Sequence, residues 1–221
     1  INMANTTFNG KVRSENGFAQ ITKTAATGAI TENTTIDSSG NVSAGGTLSV
    51  TGRSTLTGNT IATTAGTGIT TGTGTVYEAG VIKIGEVFHT TILIDLTGLA
   101  SSGSGDIIGK DSTANSHIGQ ITAAVNGTVL GGKLTCLEAP AGGDPDINLW
   151  YADEATGTED AAVTGLTNQV QICNSGDLAL NSVVSLATVA ADKYLYMATG
   201  AATNADYTAG KLLIEFWGYT A

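Results

Sequence analysis

Between Gly28 and Gly58, apolar residues and glycines recur on a six-residue grid, and that grid constrains the first third of the chain. Ile30, Ile36, Val42 and Leu48 stand six apart, and Gly28, Gly40, Gly46, Gly52 and Gly58 fall on the same spacing. A second apolar row follows two places later, at Ala44, Val50 and Leu56. Residues two apart share one face of a strand. The unit is therefore a short β-segment with two inward residues and a Gly turn. A fixed short period of this kind marks a β-repeat stalk or solenoid. Thr, Ser and Gly make up well over half of residues 24–75, so composition alone also fits a flexible linker. The tract has too few apolar residues to order itself, and partner chains are the expected source of its order. Residues 1–23 read as a short extended arm anchored by Phe8 and Phe18. The candidate assembly contacts are thus Phe8, Phe18, Ile30, Ile36, Val42, Leu48, Val50 and Leu56.

Composition changes near Tyr77. Residues 1–80 are neutral, and the whole net charge of −10 belongs to residues 81–221. Most aromatic residues also lie beyond this point. The expected division is an arm with β repeats over 1–76 and a folded domain over 77–221. That domain reads as strand and turn throughout. Residues 81–88 (VIKIGEVF), 90–99 (TTILIDLTGL), 128–139 (TVLGGKLTCLEA), 147–152 (INLWYA), 168–173 (NQVQIC), 193–199 (KYLYMAT) and 210–219 (GKLLIEFWGY) carry β-type patterns. Residues 118–127 (IGQITAAVNG) follow a Ser/Gly-rich loop, and residues 182–191 suit either a strand or a short helix. Gly, Asn and Asp clusters separate these runs, as in a β-sandwich. The fold class is all-β. A jelly-roll-like sandwich is preferred to an immunoglobulin one, because the connections are long and irregular and Cys136 and Cys173 do not frame a Trp in the immunoglobulin manner.

The charge balance narrows the partners. A pI of about 4.4 disfavours nucleic acid, which needs a basic footprint, and disfavours anionic membranes. No apolar run reaches the length of about 18 residues that a membrane span needs, and no signal-peptide pattern is found at the start. Two Cys and two His leave little material for a disulfide scaffold, a metal site or acid–base chemistry.

The individual candidates are weak. Asp144, Asp146, Asp153, Glu154, Glu159 and Asp160 crowd into one run, where hard oxygen ligands would suit calcium. The EF-hand pattern is absent, and a solvated acidic loop accounts equally for the run. Cys136 and Cys173 read as free buried thiols inside apolar strands. The Gly-rich stretch 66–74 (GTGITTGTG) has no Lys and opens no helix, so it is not a phosphate cradle. Asn5, Asn33 and Asn126 stand in glycosylation sequons, relevant only in a secreted eukaryotic protein. Trp150, Tyr151 and Trp217 are expected in the core or an interface.

The opening MANTTFNGKVRSENGF, the hexad stretch GNVSAGGTLSVTGRSTLTG, the stretch TAAVNGTVLGGKLTCLEAPAGGDPDINLWYADEATG and the ending YTAGKLLIEFWGY resemble a family of virion structural proteins of tailed phages of marine bacteria and cyanobacteria. The resemblance implies assembly, not catalysis, with no cofactor, metal or catalytic residue. The expected function is a capsid decoration (cement) protein on the outer surface of the head, made in the host cytoplasm. Its partners would be the major capsid protein and itself, as a homotrimer, with neither nucleic acid nor membrane. The alternative is a trimeric tail fibre or spike component, whose head would bind a glycan receptor through Trp150, Tyr151 and Trp217. About five or six hexads are few for a fibre trunk, which favours decoration.

Overall fold

The computed structural model describes residues 18–23, 27, 30–36, 42–44 and 63–220. The chain divides into two compact units, Ile1–Leu56 and Thr57–Ala221.

In the first unit, β1 (Phe18–Lys23), β2 (Ile30–Ile36) and β3 (Val42–Ala44) form a three-stranded antiparallel sheet in the order β1-β2-β3. The register sets Phe18 opposite Ile36, and Ile36 opposite Val42. Three of the predicted contacts thus share one cross-strand row. Ile30 and Ile36 bound a single strand, so no turn separates these two steps of the hexad grid.

The second unit contains α1 (Thr67–Thr70), β4 (Val76–Ile84), β5 (Val87–Asp95), β6 (Ala100–Ser101), β7 (His117–Ile121), α2 (Ala123–Asn126) and β8 (Thr128–Ala141). It continues through β9 (Ile147–Ala152), β10 (Val170–Cys173), β11 (Val183–Leu186), β12 (Lys193–Thr199), β13 (Ala205–Asp206) and β14 (Ala209–Tyr219). One sheet has the order β11-β8-β14-β5-β4, the other β10-β9-β12-β7, and every pairing is antiparallel.

Set β4 aside, and the pairing is nested. The first strand (β5) pairs with the last (β14), β7 with β12, β8 with β11, and β9 with β10. This part of the chain is one long folded hairpin rolled so that successive strand pairs alternate between sheets. This is the jelly roll, with β4 added at one edge. The run 182–191 resolves as a strand over its first part, and the run 81–88 contains the turn between β4 and β5. Gly85 makes that two-residue turn possible with φ 61°.

Alternation explains the core. Along β5, Phe88, Thr90, Ile92 and Ile94 point inward, and His89, Thr91, Leu93 and Asp95 point outward. Leu134 and Cys136 of β8 and Leu212, Ile214 and Phe216 of β14 join the inward set. They meet Ile118 and Ile121 of β7, Leu149 of β9, and Leu195 and Met197 of β12, all buried. Two sheets of this kind pack face to face about 10 Å apart. Gly132 lets β8 and β14 approach, because a Cβ there would overlap the backbone oxygen of Glu215.

The sequence boundary at residues 76 and 77 lies inside this unit. Residues 63–75 are built into it: Ile69 is fully buried in the core, Gly66 N donates to His117 O at 2.9 Å, and Gly68 N donates to Asn115 O at 3.1 Å. A Cβ on Gly66 would collide with the Asn115 carbonyl. The glycines of residues 66–74 that resemble a linker serve close backbone packing.

Candidate functional site

The two sheets treat their outer faces differently. Outward from the four-stranded sheet, Tyr196 and Ala198 of β12 and Ala152 of β9 are buried beneath Ile107 and Val163 of the flanking loops. Trp150, Tyr194 and Leu166 pack on the same cluster. Ile107 N donates to Ala161 O at 2.9 Å, and Tyr196 Oη donates to Glu154 O at 2.6 Å. The loops on either side of β7 and β9 thus form a third layer over this sheet.

Among the described residues, the five-stranded sheet has no such layer. Nine of the thirteen large hydrophobic side chains exposed among the described residues belong to its strands. They concentrate at the β4–β5 turn: Ile82 is 55%, Ile84 76% and Val87 50% exposed. Leu130, Trp217 and Tyr219 extend the patch across β8 and β14. Isolated exposed hydrophobics are ordinary, but a contiguous patch marks an interaction surface.

Several charged groups of this face are paired with one another, while Glu78 at the groove stands without an ion pair among the described residues. Glu215, buried, forms an ion pair with Lys133 Nζ at 2.9 Å and stands 3.0 Å from His89 Nε2. The Trp217 ring stacks on His89 with centroids 5.3 Å apart and planes 4° from parallel, and Lys133 Nζ lies 5.8 Å from the Trp217 ring centre. Lys211 bridges Asp95 at 3.2 Å and Glu138 at 2.8 Å. These two carboxylates explain why the ammonium of Lys211 is held above its ordinary range; for Asp95 burial is the largest single influence and raises it, but the hydrogen bonds from Thr97 and Lys211 together hold it below its ordinary range. Beside the cluster, Gly80 floors a groove of about 240 Å³ walled by Glu78, Thr91, Leu93 and Leu213.

His89 and Glu215 are arranged like the base and orienting acid of a hydrolytic triad. Among the described residues, no hydroxyl or thiol hydrogen-bonds to His89. A second groove, about 340 Å³, lies by His117, Gln120 and Tyr194. Burial pushes the His117 imidazole below its ordinary value, its Nδ1 has no hydrogen-bond partner, and no carboxylate lines the groove.

Most of the acidic run of residues 144–160 is spent on local structure, although Asp146 Oδ1 is buried without a hydrogen-bond partner among the described residues. Asp144 accepts Asp146 N and Ala201 N, both at 3.0 Å. Glu154 accepts Thr167 N at 2.8 Å, and Glu159 accepts Ser112 N at 2.7 Å. Asp153 pairs with Lys193, and Asp160 accepts the Ser102 hydroxyl. Among the described residues, no three His, Cys, Asp or Glu side chains converge on a cation position. Cys136 and Cys173 are free and buried; burial pushes the Cys173 thiol up to about 11. Asn126 is buried, with Nδ2 donating to Thr90 Oγ1 at 2.9 Å, so its sequon is closed to a glycan.

Among the predicted contacts, Phe18, Ile30, Ile36 and Val42 fall on the strands of the first unit, with Ile36 exposed. Phe8, Leu48, Val50 and Leu56 lie outside the described residues. The three aromatic residues of the glycan alternative do not meet: Trp150 packs under the loops, Tyr151 packs on the core, and Trp217 stands on the bare face. The apolar turn at Ile82, Ile84 and Val87 was missed by sequence reasoning, which has no signal for an uncovered sheet. No family model, curated protein or solved structure matches the chain.

Proposed function

We propose that this chain is a virion structural protein of a tailed phage, a capsid decoration protein whose jelly roll stands on the outside of the head. The bare apolar face of the five-stranded sheet carries this reading. On a domain with five lysines against sixteen carboxylates, such a face is suited to assembly, while the acidic remainder keeps particles apart. The resemblance noted in the sequence and the repeat tract preceding the jelly roll support the same reading. The three-stranded sheet of the first unit suits attachment through backbone pairing to strands of the shell. Many such weak contacts, repeated over a shell, hold firmly through effective concentration.

The test is the copy number per purified particle, by quantitative mass spectrometry against the major shell protein. Hundreds of copies in simple ratio to the shell protein are expected. A handful per particle would place the chain in the tail and sink the decoration reading.

A further inference from the structure

The bare face carries a ridge and a hole. The ridge is the β4–β5 turn, where Ile84 and Val87 stand opposite each other and are 76% and 50% exposed. The hole is the groove of about 240 Å³ over Gly80. Both belong to the outward set of β4, four residues apart, which is about 13 Å along a strand. We propose that a second copy of this chain covers the face in a two-fold contact, the Ile84–Val87 ridge of each copy seated in the Gly80 groove of the other. An axis lying in the interface at the level of Ile82, across the strands, places each ridge over the other groove. An isologous contact requires this reciprocity: residue i meets j, and j meets i.

Charge favours a like partner. Three of the unit's five lysines, Lys83, Lys133 and Lys211, lie on the strands of this sheet, and Lys133 and Lys211 neutralise Glu215, Asp95 and Glu138 in place. Eleven of the domain's sixteen carboxylates lie off these strands and their turn, so two copies meet less like-charge repulsion here than at their other surfaces; Glu78 beside the groove and Glu86 in the turn are the carboxylates the contact brings together. The contact rests on the assembly reading only in taking the face to be an interface, and it replaces the expected three-fold with a two-fold.

The test uses the full-length chain alone in solution at about 50 µM, above a micromolar dissociation constant. Sedimentation velocity is expected to give twice the chain mass of 22.2 kDa. Ile84→Asp blunts the ridge, and Gly80→Phe fills the groove; Gly80 lies outside the left-handed region, so a side chain suits its backbone. Each variant is expected to halve the mass with an unchanged urea midpoint. An equimolar mixture of the two variants restores one intact ridge-in-groove contact and is expected to dimerise at concentrations where neither does alone. A wild-type mass of one or three chains, or a dimer unmoved by both variants, overturns the proposal. A solution monomer found in hundreds of copies on particles would sink this contact and spare the decoration reading. A ridge-dependent dimer found in a handful of copies would do the reverse.

Discussion

The two sheets of the jelly roll share one core and differ in what lies behind them. Both alternate inward and outward residues, and both contribute aliphatic side chains to the interior. Behind the four-stranded sheet, loops bury Tyr196 completely and shelter Trp150 and Tyr194. Behind the five-stranded sheet, Trp217 and the β4–β5 turn stand exposed. An antiparallel sheet can present one face to water, and that face is ordinarily polar. On the proposed reading, an apolar outer face on one sheet, beside a loop-covered face on the other, separates stability from assembly: the covered side contributes to folding of the single chain, and the bare side meets another molecule.

The largest expected effect is on the covered side. Tyr196 is fully buried, donates to Glu154 O and accepts Gly157 N at 3.2 Å. Tyr196→Ala is expected to cost about 3–5 kcal/mol, the range for deleting a buried aromatic side chain. Trp217→Ala removes a half-exposed ring stacked on His89 and is expected to cost about 1 kcal/mol. Urea unfolding of each variant, at concentrations below any association, checks the ratio. Equal losses would erase the distinction between the two faces.

Histidine sharpens the same contrast. His117, on the covered side, has its pKa lowered from the ordinary 6.5 by burial. As pH falls below 6.5, the unfolded chain therefore takes up a proton before the folded one does. Stability is lost from that point down through the folded value, at no more than about 1.4 kcal/mol per pH unit for one proton. His117→Phe is expected to flatten this part of the stability profile. Urea midpoints measured at successive pH values decide the matter. A profile unchanged in His117→Phe would show that some other group carries the slope.

Much of the fold was legible because the period-two signal is local. The runs 147–152 and 193–199 coincide with β9 and β12 residue for residue. Free Cys136 and Cys173 also agree with their apolar strands. The boundary was less legible, because the glycines at Gly66 and Gly68 resemble a linker until the Asn115–His117 backbone is packed against them. The bare face was not legible at all. Ile82 and Val87 have the pattern of any half-buried strand, and only long-range pairing decides which sheet the loops cover. The loop residues that cover the other sheet, Ile107 and Val163, lie in polar stretches that look like ordinary connections.

The smallest effect should appear between the sheets, where the comparison vanishes. Cys136 comes from the five-stranded sheet and Cys173 from the four-stranded one, yet both lie in the shared core. Burial raises both thiols, Cys173 to about 11, so at pH 8 little thiolate is present and the reagent has no path to either sulfur. Native protein is expected to show no fast reaction with a disulfide reagent, and both thiols should react together once urea passes the unfolding midpoint. Modification that tracks global unfolding at both positions would mean that neither outer face opens the core on its own. A Cys173 that reacts well before Cys136 would show the four-stranded sheet fraying first despite its loop cover, and would reverse the assignment of the covered side as the more firmly held.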